Sequence, residues 1–413
     1  MTDTGQKKAV SEVGLTSAPP EPGEKFRSGG EHRPRQPRPG IAGLTPDDLA
    51  AWVVAAGEPA YRAHQVCHWV WTGAAESFDE MRNVPGRLRS ALAREFSAST
   101  LAGTSVRESE RGRTEKALHL LRDGAAIESV LMRYPATTAG RARVTVCISS
   151  QVGCAVGCPF CATGELGFGR DLEPAEIVDQ VRFWARRLTA VGAHVTNVVF
   201  MGMGEPLLNL GRVVAAAEAL TDPARFGLGG RHITISTSGV VPGIERLTER
   251  RPPWTLAVSL HAARPALRDV LVPLNLRYPI RAVVEAATAY GEATRRRVSY
   301  EYVMISGTND TETDADAVAE LLAGRLVHVN LIPMNLVAHT PWRPSPPDRV
   351  AAFAARLQAA GIPTSVRRNR GEEIGAACGQ LAAERFGRPA PPAVRRRRAR
   401  IERAGAAALT GSG

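Results

Sequence analysis

"VTVCISSQVGCAVGCPFCATGELGF", residues 144–168, passes from a strand directly into a loop carrying three cysteines. Cys154, Cys158 and Cys161 are separated by three and then two residues, a spacing that suits a loop wrapped around one compact object. Zinc sites and iron–sulfur clusters both take thiolate ligands, and both usually take four. A closed zinc site needs a fourth ligand. The nearest candidate, Cys147, lies within the strand seven residues before Cys154 and reaches only if the chain doubles back. An open site instead keeps three thiolates and leaves one coordination position free for chemistry. The spacing alone leaves both readings open, and the chain downstream of the loop decides between them.

Beyond the loop, strand patterns alternate with helical ones. Strands read at "TNVVFMGMG" (196–204), "HITISTSG" (232–239), "TLAVSLH" (255–261), "VSYEYVMI" (298–305), "HVNLIPMN" (328–335) and "TSVRR" (364–368). A helix over about 173–191 places Ile177, Val181, Ala185 and Leu188 on one stripe. Another, over about 346–360 and capped by Ser345, aligns Val350, Phe353, Ala354 and Leu357. Repeated strand–helix units imply an α/β fold with a parallel sheet, open or closed into a barrel. In such folds the loops after the carboxyl ends of the strands build the active site. The cysteine loop follows the first core strand, "GMGEP" (202–206) the second, "STSG" (236–239) the third, "SLH" (259–261) the fourth and "PMN" (333–335) a later one. Each alone is an ordinary turn or cap. Together, at one end of consecutive strands, they suit a cofactor of nucleoside and amino-acid character and favour the open cluster over zinc. His261, which alone reads as a satisfied core histidine, joins this series by its place at a strand end.

Upstream, "LTPDDLAAWVVAAG" (44–57) opens a small helical domain over 41–98: Thr45 suits the N-cap, Pro46 the first helical position, and Asp47 and Asp48 the helix dipole. "YRAHQVCHWVW" (61–71) and "GRLRSALAREF" (86–96) continue it, and Cys67 beside Trp69 reads as a buried structural thiol. Residues 99–135 form a hairpin connection, "TEKALHLLR" (114–122) and "AAIESVLMRY" (125–134) turning at Asp123-Gly124. Residues 1–40 and 388–413 read as disordered tails, the second centred on an arginine run.

Hydrophobic content of 44% is that of an ordinary globular chain, and no apolar run approaches the length of a membrane span. The N-terminal segment lacks the apolar core of a secretory signal, and six cysteines are too few for a disulfide framework. Both point to the cytoplasm. A net charge of +11 suits a polyanionic partner, most plausibly nucleic acid.

The cysteine spacing resembles the signature of the radical S-adenosylmethionine (SAM) enzymes, which fold as partial (β/α) barrels. The longer set "VCISSQVGCAVGCPFCATGELGF", "NVVFMGMGEPLLNL", "ISTSGVVPGI", "VSLHA", "LIPMN" and "GEEIGAACGQL" resembles the RNA adenine carbon-2 methyltransferases of the RlmN group, over roughly residues 41–388. The resemblance implies a barrel domain over 136–387 ending in a catalytic loop. In it Cys154, Cys158 and Cys161 hold a [4Fe–4S] cluster whose free iron takes SAM. Gly204 and Glu205 meet the SAM amino group; Ser236, Ser259, Leu260, His261 and Asn335 hold its carboxylate and sugar. Cys378 carries a methyl group as S-methylcysteine, Cys147 resolves the enzyme–RNA adduct through a transient disulfide with Cys378, and Glu128 accepts the proton. The implied partners are 23S ribosomal RNA, tRNA and a reductase electron donor, for a monomer that meets no membrane. Two rival readings stand beside it: a relative that methylates carbon 8 of the same adenine and confers antibiotic resistance, and a zinc-stabilised RNA-binding protein without catalysis.

Overall fold

Runs of β-branched and aromatic residues make the strands of this chain, and stripes of small and aliphatic residues make the helices that cover them. The computed structural model describes residues 37–109, 112–136, 142–337, 340–367 and 371–381. The arginine-rich tail and all but the last four residues of the N-terminal tail lie outside the described residues. Residues 37–40 run extended, with Ser97 N–H donating to Pro39 O at 2.9 Å.

The strands are β1 (Leu101–Glu108), β2 (Thr114–Leu121), β3 (Ala126–Tyr134), β4 (Arg143–Cys147), β5 (Gln151–Gly153), β6 (Phe168–Asp171), β7 (Asn197–Phe200), β8 (Ile233–Thr237), β9 (Thr255–Ser259), β10 (Val298–Met304), β11 (Val327–Pro333) and β12 (Thr364–Val366). Ten of them make one sheet in the order β1-β2-β3-β4-β7-β8-β9-β10-β11-β12, while β5 and β6 form a separate ribbon. β4 and β7 to β12 run parallel, and each of β7 to β12 is reached through a helix-bearing crossover. β1 to β4 are antiparallel neighbours. Among the described residues nothing pairs with the outer side of β1 or β12, so the sheet stays open, as in a partial barrel. The hairpin at 114–134 joins this sheet: β3 pairs with β4, and Val130 stands opposite Cys147. β1, which extends the hairpin on its far side, is an addition to the sequence reading.

The helix Pro174–Thr189 buries Ile177, Val181, Trp184 and Leu188 and is capped by Glu173. It also joins the helical segment to the sheet. The buried Arg182 donates to Val70 O at 2.8 Å, Ala75 O at 2.8 Å and Ala98 O at 3.1 Å, with Asp179 as its ion-pair partner. Asp179 in turn accepts from Thr100 N at 2.6 Å and Thr100 Oγ1 at 2.7 Å. Thr45 caps its helix as expected, accepting from Asp48 N at 3.1 Å. Ser345 does not: the helix Pro347–Ala359 starts from Pro346, which has no side-chain hydrogen bond to offer.

Candidate active site

The chain after β4 turns through the β5–β6 ribbon, and the cysteine loop is folded against it, with Cys154 N–H donating to Gly167 O at 2.8 Å. Cys161 ends the loop and stands at the N-cap of the short helix Ala162–Leu166. Burial pushes the Cys154 thiol up to about 12, and burial together with the neighbouring thiols pushes Cys158 and Cys161 above the ordinary range. Among the described residues, no three His, Cys, Asp or Glu side chains converge as they would on a single metal ion. Zinc would draw three sulfurs to within about 4 Å of one another. Thiolates bound to different irons of one cluster stand further apart. Three half-buried thiols on one loop make an all-sulfur donor set of the kind that holds an iron–sulfur cluster.

Cys161 forms part of the wall of a cavity of about 160 Å³ at the carboxyl ends of the parallel strands. Gly204, Glu205, Ser236, Ser259, His261, Asn335 and Cys378 line the same cavity. The ends of four strands, β7, β8, β9 and β11, thus meet at one place. Gly204 holds φ at +104°, and a Cβ there would lie 2.6 Å from the Gln151 Cβ, so the backbone borders the cavity unobstructed. The buried Glu205 accepts from Ser238 N at 2.7 Å and Leu207 N at 3.1 Å, and burial still raises its carboxyl above the usual range. His261 accepts from Val303 N at 3.1 Å through Nδ1, and burial lowers its pKa to about 3. The ring is therefore neutral with its proton on Nε2, which is left as a donor. Asn335 donates through Nδ2 to Cys378 O at 2.9 Å, while its buried Oδ1 has no hydrogen-bond partner among the described residues.

Leu260 is the exception in the series. Its side chain is fully buried in the core and does not line the cavity; only its backbone takes part, accepting from Arg268 Nε at 3.0 Å. The buried Arg268, which the sequence reading passed over, also donates to Ser238 O at 2.8 Å and Ser259 O at 3.0 Å and so ties two strand ends together. Desolvation lowers its pKa to about 10.

A second, adjoining chamber lies against β3, β4 and β7. Cys147, Val130 and Val199 occupy neighbouring strands in register and line it, together with Cys378 and Arg367. Cys378, Asn335 and Arg367 border both chambers. Burial, and then the Cys378 thiol, push Cys147 up to about 12, against the opposing pull of Arg367. Arg367 follows β12 directly and had no signature in an arginine-rich stretch. All six cysteines are free thiols, so the Cys147–Cys378 disulfide that the family resemblance implies is not formed in this structure. Glu128 stands apart from the chamber walls. It is buried on β3, on the same strand face as Val130, and pairs with the buried Lys116 at 3.0 Å.

Residues 148–322 match the radical SAM superfamily, and residues 40–97 match the ribosomal RNA large subunit methyltransferase N-terminal domain. A probable dual-specificity RNA methyltransferase RlmN of Parafrankia sp. is 47% identical over 85% of this chain and 93% of its own length. The chain belongs to the RlmN family of radical SAM methyltransferases. The RlmN relative of Chloroflexus aurantiacus is 49% identical over 81% of this chain and 89% of that protein. The crystal structure of a radical SAM methyltransferase from Sphaerobacter thermophilus superposes with a TM-score of 0.81 at 44% identity, covering 84% of this chain and 99% of that one. The partial barrel is thus that of a radical SAM methyltransferase. Among the described residues no helix is long and apolar enough to cross a membrane.

Proposed function

We propose that this RlmN-family chain is a dual-specificity RNA methyltransferase acting on carbon 2 of adenine, in 23S ribosomal RNA and in tRNA next to the anticodon. One observation carries the reading: Cys378 borders both the chamber of strand-end polar groups and the chamber of Cys147. A thiol so placed can receive a group in one and deliver it in the other. Carbon 2 of adenine offers no lone pair to an electrophilic methyl, so a radical route is required. A [4Fe–4S] cluster on Cys154, Cys158 and Cys161, with SAM, would supply the methyl group and the hydrogen-abstracting radical.

The rest is the work of this chain's side chains. The Glu205 carboxyl and the Gly204 backbone suit the amino group of SAM. Ser236, Ser259, the Nε2–H of His261 and the open Oδ1 of Asn335 suit its carboxylate and sugar. The Cys378 sulfur accepts the methyl group, and loss of a hydrogen atom from that methyl allows its carbon to bond to adenine. Glu128, on the β3 face that carries Val130, takes the proton from carbon 2 as the radical adduct gives up one electron, for which a cluster on the three cysteines would be the acceptor. Cys147, as its thiolate, then attacks the Cys378 sulfur; the sulfur–carbon bond breaks with its electron pair going to the methylene on the base, which takes up a proton to become the methyl group, and a transient disulfide is left for cellular thiols to reopen. The target base leaves its stack to reach the chamber. The helical segment 41–98 grips RNA, the arginine tail beyond residue 388 adds charge, and a reductase donates electrons to a cytoplasmic monomer.

The test uses two single substitutions. Cys147→Ala, given RNA and SAM, should accumulate a covalent protein–RNA adduct on denaturing gels, and Cys378→Ala should form none. Turnover by either variant, or equal behaviour of both, overturns the assignment. Cys158→Ala should lose iron and sulfide after anaerobic purification.

A further inference from the structure

The loop that carries Cys378 is anchored to the loop that carries the cluster cysteines. Ala162 N–H, at the start of the helix following Cys161, donates to Gly379 O at 2.7 Å. Thr163, one residue on and 3% exposed, donates through Oγ1 to Leu381 O at 2.6 Å. First-turn amides of a helix have no partner within it. Here one of them, with the neighbouring hydroxyl, is directed at the methyl-carrier loop across more than two hundred residues of sequence. Gly379 turns that loop at φ +82°, a conformation that side chains other than glycine rarely adopt, and its carbonyl is the one that meets Ala162. The third anchor, Asn335 Nδ2 on Cys378 O, comes from the strand-end side.

We propose that Thr163 is a positioning residue that couples the two loops, so that an ordered cluster loop is what seats Cys378 between its two chambers. Thr163 lines neither chamber; it acts through Leu381 and the short turn leading back to Cys378. The cysteine loop and the C-terminal loop then order together, and stripping the cluster loosens the seat of a thiol that does not bind it. The role of Cys378 as methyl carrier rests on the proposed function, but the coupling itself is a property of the two loops and is measured separately.

The experiment compares the parent, Thr163→Val and Thr163→Ser as anaerobically purified holoenzymes, by amide hydrogen exchange over 376–381 and by the rate of Cys378 alkylation. Valine keeps the volume and removes the donor; serine restores it. Loss of one buried hydrogen bond corresponds to about a tenfold change. Thr163→Val should therefore show about tenfold faster exchange and alkylation, with parental iron content, and Thr163→Ser should restore protection. Chelation of the iron should raise exchange at 376–381 in the parent and leave Thr163→Val nearly unchanged, a contrast that a merely structural threonine would not produce. Parental protection in Thr163→Val overturns the proposal, as does loss of its iron, which would confine Thr163 to the cluster loop. A parent that never methylates Cys378 yet shows the exchange contrast would refute the methyl-carrier reading and leave the coupling standing.

Discussion

Gly204 shows how little space the chamber leaves for error. A Cβ at this position would meet the Gln151 Cβ at 2.6 Å and Gln151 N at 2.8 Å. Gln151 Oε1 in turn accepts from Glu205 N at 2.9 Å, so displacing it moves the carboxyl that faces the cavity. Gly204→Ala should weaken SAM binding at least about tenfold by calorimetry, the cost of roughly one lost and one strained contact. His119 lies at the opposite extreme, in the interior of the antiparallel strands. Its Nδ1 is 2.9 Å from Thr104 Oγ1 and its Nε2 2.7 Å from Ser129 Oγ, and burial lowers its pKa to about 3. The unfolded chain binds this proton near pH 6.5 and the folded chain does not, so folding stability is lost as pH falls from about 6.5 towards 3. His119→Gln should remove up to about 1.4 kcal/mol per pH unit of that slope. Urea unfolding at pH 6.5 and pH 5 reads it directly.

The helix Pro174–Thr189 does two jobs, since one face packs on the sheet and Arg182 projects into the seam with the helical segment. Replacing Arg182 with methionine would leave Asp179 buried without its cation and three carbonyls without their donor. The expected loss is about 3–5 kcal/mol, read as a lower urea midpoint. The parallel strands were legible in sequence because each is a short apolar run ending in a glycine, serine or polar turn. β1 was not: only Leu101, Thr104 and Val106 of its eight residues are even half-buried, so an edge strand with little apolar alternation leaves no pattern to see. Six of the seven strand-end residues assigned to the cofactor line one cavity, because a polar residue at a strand's carboxyl end has few other places to point. Leu260 failed that logic, since alternate residues face opposite sides and an aliphatic side chain goes to the core. Arg367 and Arg268 escaped notice for a different reason. A lone arginine has no spacing, and only the folded chain shows whether it is surface charge or buried cation.

The molecule as a whole carries +11, with 52 basic against 41 acidic residues. If about four phosphates are neutralised on binding, log affinity for single-stranded RNA should fall with log salt at a slope near −3. Titrations between 50 and 200 mM salt check it (roughly the span over which such slopes are read), and a flat response would assign affinity to shape and stacking instead. The sheet order has a temporal side as well. Strands join the sheet almost in the order in which they are translated. The cysteine loop is complete at residue 161, yet Thr163 finds its partner only when Leu381 has been made, 218 residues later. At about 5–20 residues per second, that is an interval of roughly 10–40 s. Over most of that interval a nascent chain holds a complete cysteine loop beside a sheet still gaining strands, and the last described turn to be made, 376–381, is the one that docks on Thr163.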